Sequence, residues 1–201
     1  NVMVKLLLAG TGLIGHRHMQ HILEHPDLEL VGVIDPLITD EKIEGVKTYH
    51  SLNDVNNVAE GIILATPTET HADLTIQSLE MGLHVLVEKP VAASLQEADK
   101  MIHASEKTGL SILVGHHRRH HPLVNETINI IKSGKIGRPV AASLMWLMRK
   151  QDEYFDVEWR KGIDGGPIKQ NLIHDVDTLR AFFGEIISVV GNNSQANVQL
   201  R

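Results

Sequence analysis

Alternation of short apolar runs with longer amphipathic stretches is the feature that most constrains the fold of this chain. Each apolar run has the length of a strand, and the segment after it repeats apolar residues every three or four positions, as a helix does. Strands with few polar interruptions are typical of a parallel sheet that helices cover on both faces. The pattern predicts strands at 4–9, 28–34, 46–49, 61–65, 84–87 and 110–114, and helices at 13–24, 70–81 and 95–107. Residues 1–118 are therefore expected to form an α/β domain with a doubly wound parallel sheet.

Helix-end signals support two of these helices. Gly82 and Gly109 follow the second and third helices, and a glycine in the left-handed conformation commonly ends a helix. Ser94 and Glu97 open the third helix, where each side chain can accept a hydrogen bond from the other residue's backbone N–H. We therefore expect the third helix to begin directly after Ser94.

The pattern changes after residue 118. It predicts a helix at 122–131, an extended run at 140–148, a helix at 167–183 and a strand at 186–191. Two or three strands with one or two helices are few for an independent domain. Residues 119–201 are therefore expected to be part of a second domain that is either cut short or completed by a partner.

Composition excludes several functional classes. Because the 201-residue chain has no cysteine, it has no disulfide, thiolate metal site or cysteine nucleophile, which suits a reducing cytoplasm. The apolar run at residues 2–8 is shorter than the apolar segment of a signal peptide or a membrane span. A net charge of -6, with three Phe and two Tyr, argues against nucleic-acid binding. We expect a cytoplasmic protein with a small-molecule partner and no membrane or nucleic-acid partner.

A glycine-rich segment joins the first predicted strand to the first predicted helix. It consists of Gly10, Thr11, Gly12, Leu13, Ile14 and Gly15. Glycines at these positions permit a tight turn, close approach of the backbone to a pyrophosphate and close packing of helix on strand. The helix N-terminus adds N–H donors and the positive end of its dipole. The segment predicts dinucleotide binding, although three glycines alone would also suit a simple turn.

Asp35 strengthens the dinucleotide interpretation. It lies at the end of the second predicted strand, 20 residues after Gly15. A carboxylate there can accept hydrogen bonds from both hydroxyls of an adenosine ribose and would repel a 2′-phosphate. Because Pro36 follows it and no arginine stands there to hold that phosphate, the sequence favours NAD over NADP.

Polar residues also follow the fourth predicted strand. Thr66, Pro67 and His71 stand at its carboxyl end, where ligands of doubly wound sheets bind. These three residues are predicted to contact the cofactor. The other interpretation is a structural turn at Pro67, with Thr70 capping the next helix and His71 packed in the fold.

A charged pair, Glu88 and Lys89, ends the fifth predicted strand at the same edge of the sheet. A lysine there would lie near the nicotinamide and a substrate carbonyl, where its charge favours negative charge developing on oxygen. Pro90 restricts the backbone that follows. The alternative is a surface lysine paired with Glu88.

Four histidines surround a pair of arginines between residues 116 and 121. Histidines four positions apart on a helix can bind zinc, but the two arginines would repel a cation and no cysteine is available. We therefore predict no metal site. The segment is interpreted as a loop that lines the substrate cleft with hydroxyl-binding groups, His117 and Arg119 among them.

Five segments occur along the chain in the order GLIGHRH, ATPTETH, EKP, GHHRRHHP and GGPIKQNLIHDVDTL. Together they resemble the Gfo/Idh/MocA oxidoreductases, which include glucose-fructose oxidoreductase and inositol dehydrogenase, over nearly the whole chain. The resemblance implies a Rossmann domain that binds NAD, followed by an α+β domain with a large, open, mainly antiparallel sheet. In the family that second domain carries substrate contacts and often the subunit interface, which implies a homo-oligomer, a dimer or tetramer. Members are typically substantially longer than this chain.

The resemblance also implies roles for individual residues. Lys89 matches the lysine that bridges cofactor and substrate, and Glu88 is assigned to the cofactor site with it. His174 matches the histidine that transfers a proton. Trp159 and Arg160 match a Trp-Arg pair near the cofactor.

The sequence departs from the family close to that histidine. Many dehydrogenases of the family carry an aspartate four residues before it, where this chain has Gln170, followed by Asn171. An amide can orient substrate hydroxyls but cannot share a proton. Gln170 and Asn171 are therefore predicted to bind substrate, and the polyol dehydrogenase assignment is in question. Asp175 lies about 100° around a helix from His174, and Asp177 is interpreted as structural.

Three functions fit these observations. The leading hypothesis is an NAD-dependent oxidoreductase that transfers a hydride between nicotinamide and a hydroxyl-bearing carbon of a sugar, polyol or related compound, with His174 accepting the hydroxyl proton. The second is a nucleotide-binding module or fragment without net redox turnover. The third keeps NAD tightly bound and uses transient oxidation to assist glycoside cleavage or epimerisation.

Overall fold

The computed structural model describes residues 3–56, 58–145, 147, 149, 151–156 and 171–191. The strands observed there are β1 Val4–Ala9, β2 Leu28–Ile34, β3 Lys42–Ile43, β4 Val46–Tyr49, β5 Gly61–Leu64, β6 His84–Val87 and β7 Ile112–Val114. The α-helices are α1 Leu13–Glu24, α2 His71–Glu80, α3 Leu95–Thr108, α4 Pro122–Lys132 and α5 Ile173–Phe183. Residues up to His116 form one compact unit, and residues from His117 onward form a second.

The strands of the first unit form one sheet in the order β3-β4-β2-β1-β5-β6-β7. Every neighbouring pair is parallel except β3 with β4. The chain moves outward from β1 through β2 and β4 on one side, and through β5, β6 and β7 on the other. Strand order therefore reverses at β1, which confirms the predicted doubly wound parallel sheet of the Rossmann type.

Alternate residues of the central strand pack into two apolar layers. Leu7 of β1 belongs to a buried cluster with Leu79 of α2 and Met101 of α3. Leu8, the next residue, belongs to a second cluster with Met19 of α1. Because successive side chains of a strand point to opposite faces, α1 covers one face of the sheet, and α2 and α3 cover the other. Burial on both faces is why the strands have so few polar interruptions.

The predicted helix ends are confirmed in most respects. Gly82 and Gly109 follow α2 and α3 with φ angles of +85° and +71°. The Ser94 hydroxyl accepts a hydrogen bond from the Glu97 N–H at 3.2 Å. The Glu97 carboxylate accepts instead from the Ala93 N–H at 2.9 Å, so the predicted return bond to the backbone of Ser94 is replaced by one to the preceding residue.

The alternative interpretation, in which the Thr70 side chain caps α2, is wrong, because Thr70 stands at the N-cap position but makes no side-chain cap hydrogen bond. A 3-10 turn at Thr68–Thr70 precedes α2, so Thr70 already has helical backbone angles, with φ -95° and ψ -10°. An N-cap residue needs an extended backbone for its hydroxyl to reach the following N–H groups. The Thr70 hydroxyl instead donates to the Pro67 carbonyl oxygen at 2.8 Å and lies 2.7 Å from the Thr66 hydroxyl. These contacts hold the turn after β5 together.

The described part of the second unit contains α4, α5 and 3-10 turns at His117–His120 and Asp152–Asp156. The strands predicted at 140–148 and 186–191 are wrong for the described residues, since 140–145, 147 and 186–191 form no strand. A strand forms only where a neighbour pairs with its N–H and C=O groups, and no strand in the described part of this unit offers such an edge. The helix predicted at 167–183 is confirmed from Ile173, and 167–170 lie outside the described residues. Among the described helices, none combines the length and apolarity of a membrane span.

Candidate active site

Parallel strands bring the predicted cofactor residues to one edge of the sheet. Gly10 follows β1, Asp35 follows β2, Thr66 lies just beyond β5 and Glu88 follows β6. The strands β2, β1, β5 and β6 are consecutive neighbours, and their order reverses at β1. Ligands of doubly wound sheets bind outside the carboxyl ends of the strands at such a reversal. This edge is therefore the candidate site of the first unit.

Gly10 and Gly15 are packed so tightly that neither has room for a side chain. Gly10 has a φ of +94°, and a Cβ on it would lie 2.5 Å from the Ala65 carbonyl oxygen. A Cβ on Gly15 would lie 2.0 Å from the Gly10 carbonyl oxygen. The Gly10 N–H donates to the Ile34 carbonyl oxygen at 2.8 Å. These contacts lock the glycine loop between the ends of β2 and β5.

Gly12 has open space where Gly10 and Gly15 have none. No atom of the described residues would lie within 4 Å of a Cβ at Gly12, whose φ of -67° is an ordinary value. Gly12 is the N-cap of α1, and the His16 N–H donates to its carbonyl oxygen at 2.9 Å, which begins the helical hydrogen bonds. The first N–H groups of a helix have no acceptor within the helix, and they carry the positive end of its dipole. The open space at Gly12 leaves these N–H groups accessible to an anion, and pyrophosphate binding here stays a prediction.

Asp35 is held in place by the glycine loop itself. One carboxylate oxygen accepts from the Thr11 N–H at 2.9 Å and from the Thr11 hydroxyl at 2.6 Å, and the other accepts from the Leu37 N–H at 3.0 Å. Burial raises the pKa of Asp35, but the three hydrogen bonds outweigh burial and hold that pKa below its ordinary value. The half-buried carboxylate is therefore ionised and fixed beside the glycine loop.

Replacing Thr11 with valine is expected to raise the pKa of Asp35, because valine keeps the shape of threonine and removes the hydroxyl donor. A carboxyl group whose pKa is lowered by folding stabilises the fold above its ordinary pKa, 3.8 here, and loses that contribution as the pH falls through its folded value. Thr11→Val should therefore weaken the acid-range dependence of the free energy of unfolding, measured by urea unfolding between about pH 6 and 2.5.

Thr127→Val is the matched control for Thr11→Val, since the Thr127 hydroxyl donates to the Leu123 carbonyl oxygen on α4 and contacts no carboxylate in the described structure. It should keep the wild-type dependence of stability on pH. Equal pH dependence in both variants and in the wild type would show that the Thr11 hydroxyl does not control the ionisation of Asp35.

His71 is one of the most buried polar side chains, with 1% exposure. Its Nδ1 lies 2.8 Å from the Pro90 carbonyl oxygen and its Nε2 lies 2.9 Å from the Thr66 carbonyl oxygen. Thr66 is half-buried and Pro67 is exposed at the same edge. The contacts of His71 are those of the packed interpretation, and cofactor contact by this ring stays a prediction.

Glu88 is half-buried next to Lys89. Its carboxylate accepts from His18 Nε2 at 2.8 Å and from the Lys89 backbone N–H at 3.2 Å. A Cβ on Gly115 would lie 3.0 Å from the same carboxylate. Burial raises the pKa of Glu88, but the hydrogen bond and charge of His18, together with the Lys89 N–H, hold it below its ordinary value. Lys89 is half-buried, and its peptide bond to Pro90 is cis.

In the second unit, His174 lies in the first turn of α5. His174 is buried, with 6% exposure, and its ring meets the edge of the His117 ring at a centroid distance of 4.7 Å. Asp175, the next residue, accepts from Arg118 at 2.8 Å. The 3-10 turn that carries His117 and Arg118 is therefore held against the first turn of α5.

A second ion pair joins the same two elements. Arg119 binds the Asp177 carboxylate through Nε at 3.1 Å and Nη2 at 2.6 Å. The bidentate contact agrees with the interpretation of Asp177 as structural. Substrate contact by Arg119 and His117 stays a prediction. Asn171 is described and half-buried, just before α5.

Three predicted residues lie outside the described residues, namely Trp159, Arg160 and Gln170. Within the described ranges, no three His, Asp or Glu side chains are grouped so that they could hold a metal ion.

Sequence reasoning missed two residues that lie against the Glu88 carboxylate, His18 and Gly115. The signal for His18 is its place in the first helix, three residues after Gly15, since residues three apart share a helix face. A contact between residues 18 and 88 nevertheless depends on where α1 lies relative to β6. The signal for Gly115 is a glycine directly after a strand, which can mark close approach of another group.

Family models match both parts of the chain. Residues 4–116 match the GFO_IDH_MocA model, described as an oxidoreductase family with an NAD-binding Rossmann fold. Residues 124–199 match a model of the GFO/IDH/MocA C-terminal domain. The first match alone covers more than half of the 201-residue chain.

Individual relatives agree with the family models. The chain is 31% identical to scyllo-inositol 2-dehydrogenase (NAD(+)) of Bacillus subtilis, covering 96% of this chain and 58% of the relative. It is 27% identical to the rhizopine catabolism protein MocA of Rhizobium meliloti, covering 90% of this chain and 57% of that protein. The WlbA dehydrogenase of Bordetella pertussis, solved with NADH and UDP-GlcNAcA, superposes with a TM-score of 0.79 at 25% identity, over 92% of this chain and 56% of its own. This chain thus spans just over half the length of these relatives. It belongs to the Gfo/Idh/MocA oxidoreductase family.

Proposed function

We propose that this chain belongs to an NAD-dependent dehydrogenase that transfers a hydride between nicotinamide and a hydroxyl-bearing carbon of a sugar or polyol. One observation carries the proposal. A glycine loop with open space at Gly12, a carboxylate fixed at Asp35, and Lys89 all follow strands that end at one edge of the sheet.

The residues of the first unit fit NAD. The N–H groups at the start of α1 would receive the pyrophosphate, and Asp35 would accept hydrogen bonds from the adenosine ribose. When bound, nicotinamide supplies the hydride acceptor or donor of the reaction. The ionised Asp35 would repel the 2′-phosphate of NADP, and the residues after it, Pro36 and Leu37, offer no cation to bind that phosphate.

Two side chains of this chain would act on the substrate. The ammonium group of Lys89 would stabilise negative charge as it develops on the reacting oxygen. The imidazole of His174 would take the hydroxyl proton in the oxidation direction and return it in the reduction direction. Both roles rest on the match of these residues to the family motifs.

The relatives support a cyclic, hydroxyl-rich substrate. One relative is named for scyllo-inositol oxidation with NAD(+), and the WlbA structure holds NADH with a nucleotide sugar. Scyllo-inositol and UDP-GlcNAcA both carry secondary hydroxyl groups on a six-membered ring. We therefore place the substrate of this chain among inositols, sugars and their derivatives.

Fluorescence titration with NADH and, separately, NADPH tests the cofactor assignment. We expect NADH to bind at least about tenfold more tightly, because a fixed carboxylate facing a phosphate costs at least about 1.4 kcal/mol. Equal affinity for the two cofactors would contradict the role of Asp35. Asp35→Asn should narrow the difference in affinity between NADH and NADPH. Asp99→Asn, at an exposed position on α3, should leave that difference unchanged.

Reduction of NAD by a substrate panel tests the reaction. The panel contains scyllo-inositol, myo-inositol, glucose and UDP-linked hexoses, with NADH formation followed by absorbance. NADH formation with at least one compound is expected. Tight NADH binding without reduction by any compound would favour a nucleotide-binding module over a dehydrogenase.

A further inference from the structure

The backbone that carries Lys89 leaves the sheet immediately after β6. The Glu88 N–H still donates to the Leu64 carbonyl oxygen at 2.9 Å, but residues 88–94 belong to no strand or helix. A side chain that stabilises developing charge has to be held to within about 0.5 Å of its working position. In this protein the residues on each side of Lys89 must therefore supply the support that the sheet no longer gives.

The residue before Lys89 is held by a histidine from the glycine-loop helix. His18 lies on α1, one turn beyond Gly15, and its Nε2 donates to the Glu88 carboxylate at 2.8 Å. The same carboxylate accepts from the Lys89 N–H, and a Cβ on Gly115 would lie 3.0 Å from it. Glu88 therefore connects the helix that begins at the pyrophosphate site to the backbone of Lys89.

The residue after Lys89 is held by a second histidine, from the next loop. The buried ring of His71 lies between the carbonyl oxygens of Pro90 and Thr66, at 2.8 Å and 2.9 Å. A carbonyl oxygen can only accept, so a neutral ring, which has one N–H, can donate to only one of these two oxygens at a time. His71 therefore connects the loop after β5 to the loop after β6.

We infer that His18 and His71 are positioning residues for Lys89. His18 fixes Glu88 to α1, whose N-terminus the proposed function assigns to the pyrophosphate, and His71 fixes Pro90 to the Thr66 loop, which the sequence predicts to contact the cofactor. The inference rests on that proposed function. Ordering of the glycine loop or of the Thr66 loop by a dinucleotide thus steadies the segment that bears the lysine. Neither histidine needs to touch the substrate, because each acts through Glu88 or Pro90.

Amide substitutions can separate the two contacts by geometry. The amide nitrogen of asparagine reaches the position of histidine Nδ1, and that of glutamine reaches the position of Nε2. His18→Gln should therefore keep the bond to Glu88, which His18→Asn should lose. At position 71 the order is reversed, because His71→Asn should keep the bond to Pro90 and His71→Gln should keep only the bond to Thr66.

The comparison is made within each pair, because both amides place similar polar atoms in the same surroundings. His103→Gln is the control, since His103 is exposed on α3 and contacts only the Asp99 carbonyl oxygen among the described residues. Thermal unfolding of all five variants reports loss of stability, so a fold defect common to both members of a pair is recognised as such.

The first readout is the kcat of NAD reduction with the best compound of the substrate panel. His18→Asn and His71→Gln should lower kcat by about tenfold to a hundredfold, because a misplaced catalytic group costs rate. The KM for NAD should stay within about threefold of the wild-type value, since the cofactor contacts remain. His18→Gln and His71→Asn should lose less activity. Their decrease in log kcat should be at most about half of the decrease seen in the other member of the pair. Equal kcat within both pairs would overturn the inference.

The second readout needs no turnover. Hydrogen–deuterium exchange of the segment 84–91 is followed by mass spectrometry with and without NADH. NADH should slow exchange of this segment in the wild type and in the two variants that keep the bonds, and should slow it less in the two that lose them. If NADH protects 84–91 equally in all variants, the coupling is refuted even for a chain that reduces no compound. A chain that binds NADH and shows the expected exchange, but reduces nothing, would refute the proposed dehydrogenase and keep the coupling.

Discussion

Replacement of Lys89 with alanine is expected to lower kcat/KM by at least about 10³ while leaving the affinity for NADH within about threefold of the wild type. A preorganised charge acts on the reacting oxygen mainly in the transition state, so its loss should appear in kcat. The lysine follows β6, whereas the pyrophosphate and ribose contacts lie on the loops after β1 and β2, so cofactor affinity should depend little on it.

Single-turnover and steady-state kinetics of Lys89→Ala, with NADH titration on the same sample, check this result. Lys100→Ala on α3 is the control, because Lys100 is an exposed lysine within a helix and does not follow a strand at the carboxyl edge of the sheet. Substantial turnover by Lys89→Ala would remove the lysine from the mechanism. A matching loss of NADH affinity would instead assign Lys89 to cofactor binding.

The sequence predicts the first unit well because its strands are buried on both faces. The predicted bounds 4–9, 28–34 and 84–87 agree with β1, β2 and β6. Such strands show as apolar runs with few polar interruptions, and the turns between them carry glycine or proline. Local sequence therefore contains most of the information that sets these elements.

The sequence did not predict β3, because two residues are too few to show the alternation of apolar and polar residues that indicates a strand. The strand Lys42–Ile43 pairs with β4 through a turn at Glu44 and Gly45, whose φ angles are +49° and +81°. Positive φ at both turn residues is the geometry of a two-residue hairpin, for which asparagine or aspartate before glycine is the usual signal. This chain has glutamate in the first position, so the usual sequence signal of the turn is absent.

In the second unit, the sequence pattern was not sufficient to predict strands. The apolar run at 140–145 and the residues at 186–191 have strand-like composition, but they form no strand in the described structure. Several of their side chains are almost fully exposed, including Val140 at 91% and Ile187 at 98%. A strand depends on pairing with distant segments, and composition alone does not supply a partner.

Long-range contacts explain the parts of the site that the sequence did not reveal. The motifs predicted Asp35 and the glycine loop because their spacing along the chain is fixed by one β-α-β unit. The contacts of His18 with Glu88 and of His71 with Pro90 join residues 70 and 19 positions apart. Such pairs become visible only when the strand order is known.

Gly15→Ala is expected to destabilise the fold, whereas Gly12→Ala is expected to weaken NADH binding. Together the two variants test whether the glycine loop is a cofactor site. At Gly15 the new Cβ would lie 2.0 Å from the Gly10 carbonyl oxygen, so backbone has to move. Gly15→Ala should therefore lower the free energy of unfolding by at least about 3 kcal/mol, which urea unfolding measures. A smaller loss would show that α1 can shift on the sheet more easily than this packing indicates.

Gly12→Ala should instead leave the fold almost unchanged, with a loss below about 1 kcal/mol, because its φ suits alanine and its surroundings are open. The added methyl group would occupy the space through which a pyrophosphate approaches the backbone, so NADH affinity should fall at least about tenfold. A folded Gly12→Ala variant that binds NADH as the wild type does would mean that the open space beside this glycine is not the pyrophosphate site. The loop would then serve only to pack α1 against the sheet, and the dinucleotide would have to bind elsewhere along the carboxyl edge.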